Sequence, residues 1–322
     1  MAKVFVTRKI PNRGILMLKA AGHEVTVSLY DRVLSREELI SMGQGKDAIL
    51  TQLTDKIDAA VIDGWGSSVK IVANYAVGFD NFNTKEIASK GVLMSNTPDV
   101  LTQTVAEHTF ALLLAMAHRI AESDRFSRDG KYKGWAPELL LGTDMSGKVL
   151  GVVGLGRIGS RVAHHAVKGF DMKVIYHDVH RNDQFEKEFA AEYKATIEEL
   201  LRESDFVSIH VPLLDSTRHL INAERLRLMK PGAYLVNTSR GPIVDEMALR
   251  DALKAGVIRA AAIDVWEHEP ELTPGLADLD NVTITPHTAS ATEETRQKMG
   301  EVAAANIIAA LSGQTPPNII KA

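Results

Sequence analysis

The run from Lys148 to Val153 is apolar and β-branched, and it passes directly into GLGRIG, Gly154 to Gly159, which opens a helical stretch reaching Lys168. Glycines at this spacing also serve tight turns that bind nothing, so the surrounding pattern decides. The next β-rich run, Met172 to His177, ends on Asp178, about 20 residues past the last glycine. Strand, glycines, helix and strand-end acid make a βαβ unit, and parallel neighbours of this kind need a crossover helix. The same pattern is a dinucleotide fingerprint. Gly154 permits the tight turn, Gly156 admits the pyrophosphate, Gly159 allows close helix packing, and the helix start offers free N–H groups to phosphate. Asp178 would accept the ribose hydroxyls and repel a 2′-phosphate, which favours NAD; Arg181 nearby keeps NADP as the alternative.

The rest of the chain extends this rhythm. Short β-rich runs at Lys3–Thr7, Glu24–Leu29, Ala48–Leu53, Lys70–Val77 and Val92–Ser95 alternate with helical stretches. A second series begins at Lys148 and continues through Phe206–His210, Ala233–Asn237, Arg259–Ile263 and Val282–Thr285. The expected fold class is α/β, with two Rossmann-like, doubly wound parallel sheets. One long helix is expected from Leu101 to about Ala121, an irregular segment from Arg128 to Gly147, and a final helix from about Ala291 to Leu311. A length of 322 residues fits two domains better than one.

Composition removes several function classes. A formal charge of −4 gives no broad attraction for nucleic acid, and the densest basic stretch, Arg128 to Lys133, is interrupted by Asp129 and Gly130. The absence of cysteine excludes disulfides and thiolate chemistry. His164 and His165 are adjacent and are expected on different helix faces, while His177 and His180 straddle a strand end, so no metal site is expected. The first residues, MAKVFVTRKIP, are too brief for a signal peptide core, and no uninterrupted apolar run reaches membrane-spanning length. A cytoplasmic protein without membrane contact is the expectation.

Three further strand ends carry polar residues, and ligands bind at the carboxyl ends of strands in open α/β sheets. NTSRG (Asn237–Gly241) places Arg240 where a guanidinium can hold a carboxylate through two parallel hydrogen bonds. DVWEHEP supplies Asp264 and Glu269, and TPHTAS supplies His287. Histidine suits proton transfer near neutrality, and a carboxylate on its other ring nitrogen would fix its tautomer and favour its charged form. Each residue has a plainer reading: a surface ion-pairing arginine, a loop acid, a histidine beside a helix cap. Their joint occurrence after a dinucleotide fingerprint favours catalysis. The expected cofactor contacts are Thr104, Gly154, Leu155, Gly156, Arg157, Ile158, Gly159, Asp178, His210, Val211, Pro212, Thr217, Thr238, Ser239, Arg240, Asp264 and His287.

GLGRIG, SRGPIVDE (Ser239–Glu246), DVWEHEP and TPHTAS resemble, in order and spacing, the signature segments of the D-isomer-specific 2-hydroxyacid dehydrogenases, and the resemblance spans essentially the whole chain. Within that family NYAVGFDN (Asn74–Asn81), AILTQLTDKID (Ala48–Asp58) and HTASATEETR (His287–Arg296) look most like glyoxylate and hydroxypyruvate reductases. The resemblance implies reduction of a small 2-oxo acid to its D-2-hydroxy acid, with His287 as proton donor, Glu269 as its partner and Arg240 as carboxylate clamp. It also implies a substrate-binding domain, residues 1–100 and 289–322, around an inserted cofactor domain, residues 101–288. Backbone N–H groups of Val77 and Gly78 would receive the substrate carboxylate, with Leu53 lining the pocket. A homodimer is implied, with Trp135 of the GWAP segment either packing in the interface or reaching the partner's site. Asp178 departs from the Ser or Thr plus Arg of many NADP-using reductases in this subgroup. Two alternatives stay open: a sister dehydrogenase for D-glycerate, D-lactate or a sugar 2-keto acid, and a non-enzymatic NAD-sensing regulator.

Overall fold

A computed structural model describes residues 1–321, which divide into two compact units. The first comprises Met1–Leu101 and the segment from Ala291 onward; the second is Thr102–Ser290. These borders lie one to two residues from those expected.

In the first unit five strands, β1 (Lys3–Val6), β2 (Glu24–Val27), β3 (Ala48–Thr51), β4 (Ile71–Asn74) and β5 (Leu93–Ser95), form one sheet in the order β2-β1-β3-β4-β5. Every pairing is parallel. β3 and β4 are buried at every residue, which is why AILT and IVAN read as apolar runs without alternation. Four helices, α1 (Asn12–Ala20), α2 (Arg36–Gly43), α3 (Ala59–Trp65) and α4 (Thr84–Ser89), make the crossovers. The chain's last helix, α12 (Glu293–Leu311), packs on α1 and β4. Ser35 and Glu38 close a capping box on α2, and Asp58 caps α3 through the Val61 N–H.

The second unit opens with α5 (Thr102–Ala117) and α6 (Ile120–Arg128). The single long helix expected here is two helices, because Arg119 adopts a left-handed backbone, φ 54°, that no continuous helix tolerates. Seven strands follow: β6 (Val149–Val153), β7 (Lys173–His177), β8 (Glu192–Tyr193), β9 (Phe206–Ile209), β10 (Tyr234–Asn237), β11 (Ala260–Ile263) and β12 (Val282–Ile284). Their order is β12-β11-β10-β9-β6-β7-β8, again all parallel. The order reverses between β6 and β9, the switch point where an open sheet leaves a crevice. The helices between these strands are α7 (Arg157–Phe170), α8 (Asp183–Phe189), α9 (Ile197–Glu203), α10 (Ala223–Leu228) and α11 (Glu246–Lys254). The two-residue β8 escaped the sequence reading, and most expected strands are shorter by a residue or more at one end. His164 and His165 face different neighbours, His165 packing on Phe110 of α5 and His164 on Phe189, although their rings also meet edge to face at 5.4 Å. Among the described residues no helix is long and apolar enough to cross a membrane, and no three His, Asp or Glu side chains group as metal ligands.

Candidate active site

Because every strand of the seven-stranded sheet runs the same way, the residues that follow each strand gather along one edge. β6 delivers the glycine loop, β7 Asp178, β9 His210 to Pro212, β10 Thr238 to Arg240, β11 Asp264 and β12 His287.

Gly154 takes φ 94°, and a Cβ there would lie 2.9 Å from the His210 carbonyl carbon; a Cβ on Gly159 would lie 2.0 Å from the Gly154 oxygen. Both positions therefore require glycine. Gly156 faces open space, with nothing within 4 Å of a built Cβ. It is also the N-cap of α7 and provides no side-chain cap, so the positive end of a 14-residue helix borders this open space. An uncapped helix start beside open space fits a pyrophosphate. Asp178 Oδ2 accepts the Leu155 N–H at 2.7 Å, and Oδ1 accepts the His180 N–H at 3.0 Å, which ties the acid to the glycine loop. Arg181, the residue that kept NADP in consideration, donates to Glu186 at 2.9 and 2.7 Å and pairs with Asp183 at 3.1 Å. Glu186 in turn is held below the usual carboxylate range by Arg181 first and by the Tyr176 hydroxyl second.

His210 shares a 2.7 Å hydrogen bond between Nε2 and Ser208 Oγ, and burial pushes its pKa down, to about 3, so its ring stays neutral. The Thr217 hydroxyl donates to the Pro212 carbonyl at 2.7 Å and accepts the Leu214 N–H at 2.8 Å, closing the loop after β9. Ser239 donates its hydroxyl to the Val211 carbonyl, and Thr238 meets Thr109 of α5 at 3.0 Å between hydroxyls. Thr104 lies half-buried in the first turn of α5. Asn237, almost fully buried, accepts the Ser239 N–H at 3.0 Å and donates to the Arg240 carbonyl at 2.9 Å. This turn sets the direction of Arg240, whose guanidinium also donates to the Ser239 carbonyl at 2.8 Å.

Glu269 and His287 come together as a pair, 3.0 Å between Oε2 and Nδ1, with side chains 31% and 25% exposed. The other carboxylate oxygen of Glu269 accepts the Trp266 N–H at 3.0 Å, so the acid is fixed to its own loop while it holds the imidazole. His287 sits at φ 53°, a left-handed conformation that costs a non-glycine residue about 1–2 kcal/mol. Asp264 holds it there. This fully buried carboxylate accepts the Thr285 hydroxyl at 2.6 Å and the N–H groups of Thr288 and Ala289, each at 2.8 Å, while its carbonyl accepts the His287 N–H at 2.7 Å. His108 of α5 lies 3.4 Å from Asp264 Oδ1 and 3.2 Å from the Thr285 hydroxyl. Burial pushes the Asp264 pKa up, but hydrogen bonds from His108, Thr285, Thr288 and Ala289 outweigh it and hold the carboxyl below its usual range.

The sequence reading placed Asp264 among cofactor contacts and did not foresee its structural task, nor the parts played by His108 and Thr285. The available signal was a lone histidine inside the apolar helix α5. Leu53, Val77 and Gly78 belong to the first unit, where all three are half-buried and follow β3 and β4 at the carboxyl edge of that sheet. The Val77 and Gly78 carbonyls accept from Asn96 at 2.7 Å and Asn74 at 2.9 Å, which orders the loop.

Residues 110–289 match the family model described as D-isomer specific 2-hydroxyacid dehydrogenase, NAD binding domain. The chain belongs to this family. The dehydrogenase is 47% identical over 321 residues to a glyoxylate reductase of Korarchaeum cryptofilum, covering 99% of this chain and 95% of that protein. It is 47% identical over 322 residues to a glyoxylate reductase of Pyrococcus furiosus, with coverage of 99% and 95%. Among solved structures it is similar to a Thermus thermophilus protein, 41% identical with a TM-score of 0.92, covering 99% and 100% of the two chains. An NADPH-dependent glyoxylate/hydroxypyruvate reductase from Sinorhizobium meliloti, solved with NADP and malonate, gives a TM-score of 0.87 at 28% identity, covering 99% and 96%. The protein is an NAD(P)-dependent dehydrogenase with two Rossmann-like units.

Proposed function

We propose that this dehydrogenase reduces glyoxylate, and hydroxypyruvate with it, to the D-2-hydroxy acid, using NADH in a cytoplasmic homodimer. The observation that carries the reading is the Glu269–His287 pair, 3.0 Å apart on two strand-end loops of the sheet edge that also bears Arg240 and the glycine loop. With Nδ1 taken by a carboxylate, Nε2 is the nitrogen left to give a proton to the substrate's carbonyl oxygen. Arg240 holds the substrate carboxylate and polarises the carbonyl. Glu269 keeps the ring oriented and stabilises the charge it carries before transfer. Bound NADH supplies the hydride to carbon 2. The N–H groups of Val77 and Gly78 are proposed as further carboxylate donors, and Leu53 as an apolar wall.

The choice of substrate rests on the relatives named glyoxylate reductase and on the S. meliloti reductase, which acts on both acids. The choice of NADH rests on Asp178 and on the engagement of Arg181 by Glu186 and Asp183. The homodimer rests on an exposed apolar stretch: Ile120, Tyr132, Leu139, Leu141 and Trp135, the last 83% exposed.

The test is NADH and NADPH oxidation with glyoxylate, hydroxypyruvate, pyruvate and 2-ketogluconate, for the parent and for His287→Ala. The parent should prefer NADH, and glyoxylate and hydroxypyruvate over pyruvate and 2-ketogluconate, and the variant should lose about 10²- to 10⁴-fold in turnover. Near-normal turnover in the variant removes His287 from its role, and better rates with NADPH remove the Asp178 argument. Inactivity on all four acids with intact NADH binding favours the non-enzymatic regulator.

A further inference from the structure

Glu246, the first residue of α11, is a carboxylate only 1% exposed that the proposed chemistry does not use. A buried acid survives only where hydrogen bonds replace its water, and the Glu246 carboxylate takes its hydrogen bonds from one loop. Oε1 accepts the Glu267 N–H at 2.6 Å; Oε2 accepts the Thr273 hydroxyl at 2.7 Å and the Thr273 N–H at 3.4 Å. One carboxylate therefore pins both ends of the stretch from Glu267 to Thr273, in whose middle stands Glu269. The path to the imidazole is short. Glu246 fixes the peptide joining Trp266 to Glu267, the Trp266 N–H fixes Glu269 Oε1, and Glu269 Oε2 meets His287.

A second contact ties the same two segments together. A Cβ on Gly241 would lie 1.8 Å from the Trp266 carbonyl oxygen, so the backbone just after Arg240 presses directly on the backbone that carries Glu269. The segment from Arg240 to Glu246 thus grips this loop at both of its own ends. Glu267 completes the clasp: its carboxylate accepts the Glu246 N–H at 3.3 Å and meets His219 Nε2 at 2.5 Å.

We infer that Glu246 is the positioning residue for the Glu269–His287 pair, setting the distance at which the carboxylate supports the charged imidazole and coupling that distance to the Arg240 turn. The inference rests on the assignment of Glu269 and His287 proposed above. Other titratable or charged groups near this frame are His268 and Glu271 of the same loop, Asp245 at the N-cap of α11, Asp264 at the end of β11, His108 from α5, Arg240, Glu267 and His219; all remain in place in the variants below.

The experiment measures kcat against pH for glyoxylate reduction, NADH affinity by fluorescence, and thermal midpoint, in the parent, Glu246→Gln, Thr273→Val and Glu269→Gln. An amide at position 246 replaces one of the two acceptor oxygens with a donor, so the loop loosens and Glu269 spends less time on His287. Glu246→Gln should lower kcat by less than the roughly 10²-fold that full misplacement of a catalytic group costs, and should move the alkaline limb of the profile toward acid while NADH affinity stays at the parental value. Thr273→Val removes one hydroxyl at the far end of the loop and should shift the same limb in the same direction by less, which keeps the test available if Glu246→Gln folds poorly. Glu269→Gln is the reference. A limb that moves in Glu269→Gln and stays put in both other variants overturns the positioning role alone. A limb unmoved in Glu269→Gln overturns the underlying pair and this inference with it. Loss of kcat in step with loss of folded protein, without movement of the limb, marks Glu246 as merely structural and overturns it as well.

Discussion

Asp55 follows β3 in the first unit and is 4% exposed; Asp264 follows β11 in the second and is fully buried. Both lie beyond the carboxyl end of a strand in a parallel sheet, Asp264 directly and Asp55 in the loop that follows, and burial pushes both carboxyls toward the neutral form. Asp55 receives the Thr7 hydroxyl at 2.6 Å and the Gln52 N–H at 2.8 Å, and these do not offset burial, so its pKa is raised. Asp264 receives donors on both oxygens, and its pKa is lowered. The difference shows what an anion costs and what it is for. A carboxylate satisfied on both sides is a permanent negative anchor, and the turn that holds His287 at positive φ needs one. The first unit's acid bridges β1 and the loop after β3 without such a demand.

The largest separation between the two should come from deletion. Asp264→Ala leaves the Thr285 hydroxyl and two amides without an acceptor, at about 1–3 kcal/mol each, and frees the His287 turn. Turnover should fall about 10²-fold, the scale of a misplaced catalytic group, with a marked fall in the thermal midpoint. Asp55→Ala should lower the midpoint far less and leave the pH profile of turnover in place. Equal effects on turnover would show that the two acids do not differ in the way their surroundings suggest.

A second separation lies in pH. The lowered pKa of Asp264 means it contributes stability above the unfolded value, about 3.9 for aspartate, and that contribution disappears as pH falls through the folded pKa. For Asp55 the sign reverses: the raised pKa means that its protonated form contributes stability below about 3.9, lost as pH rises through the folded value. Denaturant midpoints of Asp264→Asn and Asp55→Asn, each compared with the parent on about five points from about pH 2.5 to 7, should therefore diverge. The deficit of Asp264→Asn should be complete above about pH 4 and shrink as pH falls below it, whereas that of Asp55→Asn should shrink or become a gain as pH rises above about 4. Parallel trends would break the contrast.

The sheet that carries Asp264 was readable because its signals are local. Val149–Val153, the three glycines and Asp178 lie within one βαβ unit, and each glycine is demanded by a contact or a dihedral that its neighbours impose. Arg240, Glu269 and His287 stand out as candidates because each closes a short polar segment after an apolar run. What stayed hidden depends on contacts distant in sequence. His108 meets Thr285 across 177 positions, and Glu246 reaches Thr273 across 27, with no periodicity to announce either. The break at Arg119 was equally silent, since it interrupts two helical runs with neither glycine nor proline and depends on an arginine at positive φ that pairs with Glu122 at 2.7 Å. β8 is two residues long and too short to carry an alternation.

The smallest test removes one donor from each acid. Thr7→Val takes away one of the two hydrogen bonds that reach Asp55, whereas His108→Gln alters one of two contacts that reach Asp264 Oδ1 at 3.4 Å, the other coming from the Thr288 hydroxyl. A neutral hydrogen bond contributes about 0.5–1.5 kcal/mol net, and one of this length less. Thr7→Val should therefore raise the Asp55 pKa further and cost about 1 kcal/mol at neutral pH, read as a midpoint shift in urea. His108→Gln should shift the midpoint by less, because Thr285, Thr288 and Ala289 still hold both oxygens of Asp264. If His108→Gln proved the costlier of the two, α5 would be the principal support of the His287 turn, and the stability of that anion would come from a charged partner rather than from the number of its donors.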